Sequence, residues 1–203
     1  VDGIAGLAQA IPDFLWALAF ILGLGVLWPL LPISGRIDPR LEVHFATGFY
    51  LVESLVRLDW PVLGSVLAHL VLPATALALP LTAMIARVLK ASLAEAMTQD
   101  YVLLARVNGF GRWRILWGQA LGNALIPTVT LSGVQFTFLV GGTVLVERVF
   151  GYPGIGNMAI GAVIDRDLPL IQGLILTFAV LFIAINLAID LSYRLLDPRL
   201  RHG

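Results

Sequence analysis

Few residues in this 203-residue chain have the type and spacing for covalent or metal chemistry. There is no cysteine, which excludes disulfides, thiol catalysis and thiolate metal sites. The three histidines, His44, His69 and His202, lie far apart, and no pair has metal-ligand spacing. Ser132 and His69 are a formal nucleophile and base, but neither lies in a nucleophile-elbow sequence. The single lysine, Lys90, is not preceded by glycine, so a phosphate-binding G-x-x-x-x-G-K loop is absent. Thirteen basic residues balance thirteen acidic ones, which leaves no basic nucleic-acid footprint. The chemistry left is mild: weakly polar groups that could line a passage. The chain reads as a non-enzyme.

The elements that must position such groups follow from where the charges fall. Charged residues make up 13% of the chain, against about 25% in an average soluble domain. All of them avoid four runs, Phe14–Gly35, Trp60–Ala86, Ile115–Val146 and Leu168–Ile189. About 20 apolar residues in a helix cross a bilayer core ~30 Å thick. The runs therefore predict an all-α, polytopic transmembrane helical bundle, one domain over 1–203, with spans at about 12–31, 67–86, 126–146 and 170–191. Gly133, Gly141 and Gly142 permit close helix approach. The spans' polar groups are His69, Thr75, Thr82, Gln135, Thr137, Gln172 and Asn186, expected to make interhelical hydrogen bonds. Without a charged residue in the span interiors, an ion-coupled carrier lacks its usual coupling group.

Between the spans lie three connections. Residues 32–66 form one loop, in which 40–60 read either as an amphipathic helix on the membrane surface or as a soluble loop. Residues 87–125 form a second. Within it, Leu93, Met97, Tyr101 and Leu104/Ala105 make an apolar stripe that predicts one helix from Ser92 to Arg106. Gly109 is placed for its left-handed cap. The stripe fits either a docking device or a membrane-surface helix. Residues 147–169 are the third, punctuated by Gly and Pro. Eight Lys and Arg fall in 87–125 and the C-terminal tail, and five in the other two loops. The positive-inside bias puts the former in the cytoplasm and the latter outside.

The motifs carry further information. Asp100-Tyr101-Val102-x-x-Ala105-Arg106-x-x-Gly109, followed by Ala120-Leu121-x-Asn123-Ala124-x-x-Pro127, resembles the cytoplasmic loop of bacterial ABC-importer permeases. The dipeptide/oligopeptide/nickel permeases are the most similar. The same family is resembled by Val146-Glu147-x-Val149-Phe150-x-x-Pro153-Gly154-x-Gly156 and by Arg166-Asp167-x-Pro169-x-x-Gln172-Gly173. Asp190-x-x-Tyr193-x-x-x-Asp197-Pro198-Arg199 and Ile11-Pro12-x-Phe14 fit it too. One departure is Asn108, where the family usually carries a basic residue.

The resemblance implies a permease subunit of a bacterial inner-membrane, ATP-driven importer of di- or oligopeptides or a related small solute, forming half of the path. Its partners would be a second homologous permease, two cytoplasmic ATPases and an external binding protein. ATP and Mg would be bound by those ATPases, and this chain would hold no cofactor. Asp100, Tyr101, Ala105, Arg106 and Gly109 would couple to an ATPase. Glu147, Phe150, Pro153, Gly154, Gly156 and Asp167 would form an external gate or meet the binding protein, with plain loop closure as the alternative. Family subunits have six spans, so four here predict the last four, with a pair missing ahead of residue 1. A self-contained secondary transporter or channel, and a purely structural subunit, are the competing readings.

Overall fold

A computed structural model of the chain describes residues 2–41, 43–45 and 47–196. The described residues form helices and irregular connections, with no strand. The helices are α1 (Asp2–Ala10), α2 (Asp13–Phe20), α3 (Tyr50–Val56), α4 (Trp60–Ala96), α5 (Asp100–Val107), α6 (Arg112–Ile115), α7 (Leu121–Val149), α8 (Ile155–Ile164) and α9 (Leu168–Leu196). π-Helical turns at Ile21–Leu27 and Leu116–Ala120 extend α2 and lead into α7.

Two helices, Trp60–Ala96 and Leu168–Ile189, are long and apolar enough to cross a membrane. Arg112–Phe136 with Phe138–Val149 adds a third when taken as one broken span. At ~1.5 Å per residue, the 37 residues of α4 are about 55 Å long, well beyond a ~30 Å core. This helix continues through Pro73 and Pro80. The Thr75 hydroxyl donates back to the carbonyls of Val71 and Leu72, at 2.7 and 3.0 Å, in the turn carrying the first proline. In α9, only 6% of the apolar window is buried, as suits a face turned to lipid or to another subunit.

The first apolar run behaves differently from its hydropathy. Helix covers only Asp13–Leu27 of the predicted 12–31. Beyond it the chain folds back, and the N–H groups of Leu30 and Leu31 bond to the Leu24 carbonyl. Gly25 makes this possible, because a Cβ there would collide with Ile33 Cγ2.

The chain divides into two compact units. In one (Ala10–Pro80 and Val140–Ile175), Ala17, Leu72, Ala76, Val146 and Phe150 form the core, flanked by Trp16, Phe20, Leu24, Leu77 and Tyr152. In the other (Val1–Gln9, Leu81–Leu139 and Leu176–Gly203), Ala96, Ala120 and Ala124 pack with Leu89, Leu93 and Met97. Val102, Ala105 and Ile115 form a second small core there. Gly133 in this unit lets α9 approach, since its Cβ would lie 2.8 Å from Ile189 Cγ2.

The polar groups of the helices bond mostly within their own helix rather than between helices. Ser132 donates to Thr128 O at 2.8 Å, and Asn186 to Phe182 O at 2.8 Å. His69 Nδ1 lies 2.8 Å from Ser65 O. Gln135 instead reaches another helix, with its amide 2.9 Å from Met84 Sδ. A hydroxyl or amide on a helix has its own preceding carbonyl always within reach, and a partner helix only sometimes. The Thr137 side chain lies outside the described residues.

Candidate functional site

The segment expected to couple to a partner is built from the end of α4, a turn and α5. The single helix predicted from Ser92 to Arg106 is broken. Helix α4 stops at Ala96, and the Thr98 hydroxyl donates to Glu95 O at 2.7 Å, taking a carbonyl of the last turn. Gln99 is extended (φ −74°, ψ 154°) and α5 starts at Asp100. The apolar stripe is therefore split, since its period holds only while one helix axis holds. Met97 and Tyr101 pack beside Val102, Ala105 and Ile115.

Five residues singled out by sequence lie on or just after α5. Asp100 is in its first turn, where a carboxylate suits the helix dipole. Ala105 is buried, Arg106 is exposed in the last turn, and Tyr101 is partly buried. The Tyr101 hydroxyl is buried without a hydrogen-bond partner. Gly109 has φ +76°, and its N–H bonds to Arg106 O at 3.0 Å while the Phe110 N–H bonds to Ala105 O at 3.1 Å. This is a Schellman cap, and the left-handed conformation at Gly109 is the one expected.

Sequence reasoning missed what α5 leaves outside. Leu103, Leu104 and Val107 are 61, 63 and 77% exposed. Trp113 and Trp117, just beyond, are exposed as well. The signal was present: Val102-Leu103-Leu104 puts three apolar residues in succession on an eight-residue helix. One buried face cannot hold all three.

The loop after α7 is built in the opposite sense. A second Schellman cap ends α7, with Gly151 at φ +55°, its N–H on Arg148 O at 3.2 Å and the Tyr152 N–H on Glu147 O at 2.8 Å. Phe150 is buried in the core, and its carbonyl accepts the Gly35 N–H at 3.0 Å. The Glu147 carboxylate turns back over Gly154 so closely that a Cβ at 154 would overlap it. Its Oε2 accepts the Asn157 N–H at 2.9 Å, in the first turn of α8. A negative charge there also faces the positive end of the helix.

Gly156 completes the closure, because a Cβ on it would lie 2.6 Å from Val144 Cα. Glu147, Phe150, Gly154 and Gly156 are thus brought together. Pro153 is exposed on the connecting turn. Asp167 is at the far end of α8, where its Oδ1 accepts the Leu170 N–H at 3.1 Å and caps α9.

Asn157, Val144 and Tyr152 join this closure without having been singled out, since their partners lie across a turn that no local pattern reveals. Burial raises the Tyr152 phenol above its ordinary value, the Arg36 charge opposes the shift and Glu147 adds to it. Among the described residues, no group of three His, Asp or Glu could hold a metal ion.

Relatives with names are found over nearly the whole chain. It is 35% identical over 203 residues to the dipeptide transport system permease protein DppB of Escherichia coli strain K12, covering 98% of this chain and 60% of that one. It is 38% identical over 193 residues to the di/tripeptide transport system permease protein DppB of Pseudomonas aeruginosa (95% and 57%). The glutathione transport system permease protein GsiC of Shigella flexneri is 35% identical over 207 residues (95% and 66%). The chain thus spans about 60% of the length of these relatives. Residues 1–202 match the family described as "binding-protein-dependent transport system inner membrane component". This multi-pass membrane chain belongs to that family.

Proposed function

We propose that the chain is part of a permease subunit of an ATP-driven importer, lining half of a path for di- or oligopeptides or a related small solute. The observation that carries this reading is α5. It is a short capped helix with a buried face (Val102, Ala105) and an exposed apolar face (Leu103, Leu104, Val107), set between membrane-length helices. Such a helix has apolar surface to bury against another protein and a rigid base to transmit its movement. Two cytoplasmic ATPases that bind ATP and Mg are the partners that fit it. Closure of the ATPases would move α5 with α4 and α7 and switch the path between inward- and outward-facing states.

Residues 87–125 and the tail are then cytoplasmic, in line with their eight basic residues, and the protein sits in a bacterial inner membrane. The loops 32–66 and 147–169 face outward, where an external binding protein delivers solute. The Glu147–Gly156 closure, with Asp167, forms or supports the outer gate. A second, homologous permease covers the exposed side of α9. The spans correspond to the last four of six, a reading supported by relatives of which the match covers about 60%. Peptides are the solute favoured by the names of the relatives.

The test uses the full-length protein co-expressed with its ATPases and second permease. Leu104→Asp and Arg106→Glu are each expected to cut ATPase co-purification about tenfold or more, by placing charge against an apolar or acidic rim. Unchanged co-purification and solute-stimulated ATP hydrolysis in both variants would refute the coupling role. Solute uptake by this protein alone, without ATP, would establish the self-contained carrier instead.

A further inference from the structure

The charge-free runs leave Asp13 just outside the first of them, at what reads as a membrane boundary. Its side chain is packed against other helices. A Cβ on Gly142 would collide with Asp13 Oδ2, and would meet Leu77 Cδ2 at 3.5 Å. Leu77 lies near the middle of α4 in the run Trp60–Ala86, and Gly142 lies in the run Ile115–Val146. The carboxylate therefore stands between α4 and α7, beside the middle of the first and within the last third of the second. The absence of a side chain at residue 142 leaves room for it in this position.

Its bonding is incomplete. Oδ1 accepts the Phe14 N–H at 2.8 Å, an interaction with its own neighbour. No Lys, Arg or His among the described residues pairs with it. An ionisable group between membrane helices is costly and faces a bundle interior or a water-filled cavity, where something compensates it. Asp13 is only partly buried, so its free oxygen can be reached. A divalent metal is a poor match, because it needs several oxygen ligands and Asp13 belongs to no group of three His, Asp or Glu among the described residues. A primary ammonium group needs only one or two acceptors and gains a charge-assisted hydrogen bond.

We propose that Asp13, seated against Gly142, is a solute-recognition site within the membrane path. It holds the primary ammonium group of the solute, such as the amino terminus of a peptide, during passage. This rests on the permease reading above and adds a residue and a chemical class to it. The carboxylate is a way-station: strong enough to offset the dehydration of an ammonium, and single, so that the solute leaves again.

The absence of cysteine in these 203 residues offers a direct test. Asp13→Cys is made in the full-length permease, assembled with cysteine-free partner subunits in proteoliposomes, with dialanine as the probe. ATP-driven dialanine uptake is expected to fall about tenfold, the scale of one lost charged hydrogen bond. The introduced thiol is expected to react with both an anionic sulfonatoethyl and a cationic trimethylammonioethyl methanethiosulfonate. Only the anionic adduct restores uptake, and dialanine in turnover slows the labelling.

Three results would overturn the proposal: no reaction with either reagent, equal rescue by both, or labelling indifferent to dialanine. Should Asp13→Cys fail to assemble, Asp13→Asn and Asp13→Glu are compared in the same assay. The proposal requires loss in the amide and retention in the glutamate, and equal activity of the two refutes it. The wild-type arm reads dipeptide transport separately, because no uptake there would refute dipeptides as the solute whatever the Asp13 variants do.

Discussion

The segments around Gly109 and Gly151 end their helices in the same way and then do opposite things. Both use a left-handed glycine and a Schellman pair of hydrogen bonds. After Gly151 the chain consumes its own interactions. Phe150 is 2% exposed, Glu147 bonds to the backbone of α8, and Gly156 touches the backbone of α7. Before Gly109, α5 buries some of its apolar residues and presents the rest, and the Tyr101 hydroxyl is left without a partner. The first is a closed joint at Glu147–Gly156, although α8 beyond it still exposes Met158, Val163 and Ile164. The second is an open one, with apolar surface and a buried hydroxyl left unsatisfied among the described residues. Equal caps therefore say nothing about role, and the distribution of unsatisfied surface does.

Substitutions at the two kinds of glycine can break this contrast. The largest effect is expected from Gly156→Ala. Its new methyl would press on Val144 Cα, a backbone atom that cannot rotate away, at a cost of about 3 kcal/mol. A fall in thermal stability of the purified protein in detergent is the readout. An unchanged Tm would mean that the loop is not a rigid joint.

Gly109→Ala comes next. A Cβ there meets nothing within 4 Å, so only the left-handed backbone at φ +76° opposes it, by about 1–2 kcal/mol. Because the strain is confined to an exposed cap, hydrogen exchange in α5 is expected to speed up while Tm hardly moves. A global loss of stability equal to that of Gly156→Ala would erase the distinction between the two segments.

The smallest effect belongs to Tyr152. Its raised value means that the folded state favours the neutral phenol. Its contribution is fully present below the ordinary phenol value of about 10 and is lost as pH rises through the folded one. Tyr152→Phe is expected to flatten the alkaline fall in stability. An identical alkaline fall in the two proteins would show that the phenol is not held in the closed joint.

How much of this was legible follows from the range of each interaction. Gly109 was readable as a cap because a helix end is decided by residues three or four apart. Membrane-length helices at α4 and α9 were readable because the exclusion of charge needs no partner. The break at Thr98 was not, since the apolar period runs through it and a local hydroxyl bond decides against it. In the first run, the helix stops at Leu27 because Ile33 returns onto Gly25, a contact that hydropathy averages away. At the loop site, Glu147, Phe150, Gly154 and Gly156 could be singled out, but not Asn157 or Val144. A motif names residues and is silent on the backbone that they touch.

The class of the molecule follows from composition and the placing of charge. A chain with half its length free of charge has no stable arrangement in water, and in lipid its helices must satisfy their own backbone. Where the few polar groups lie is set by packing. Asp13 is one residue outside a charge-free run, yet its carboxylate lies beside Leu77 and Gly142, because helices packed side by side bring together residues far apart in the chain.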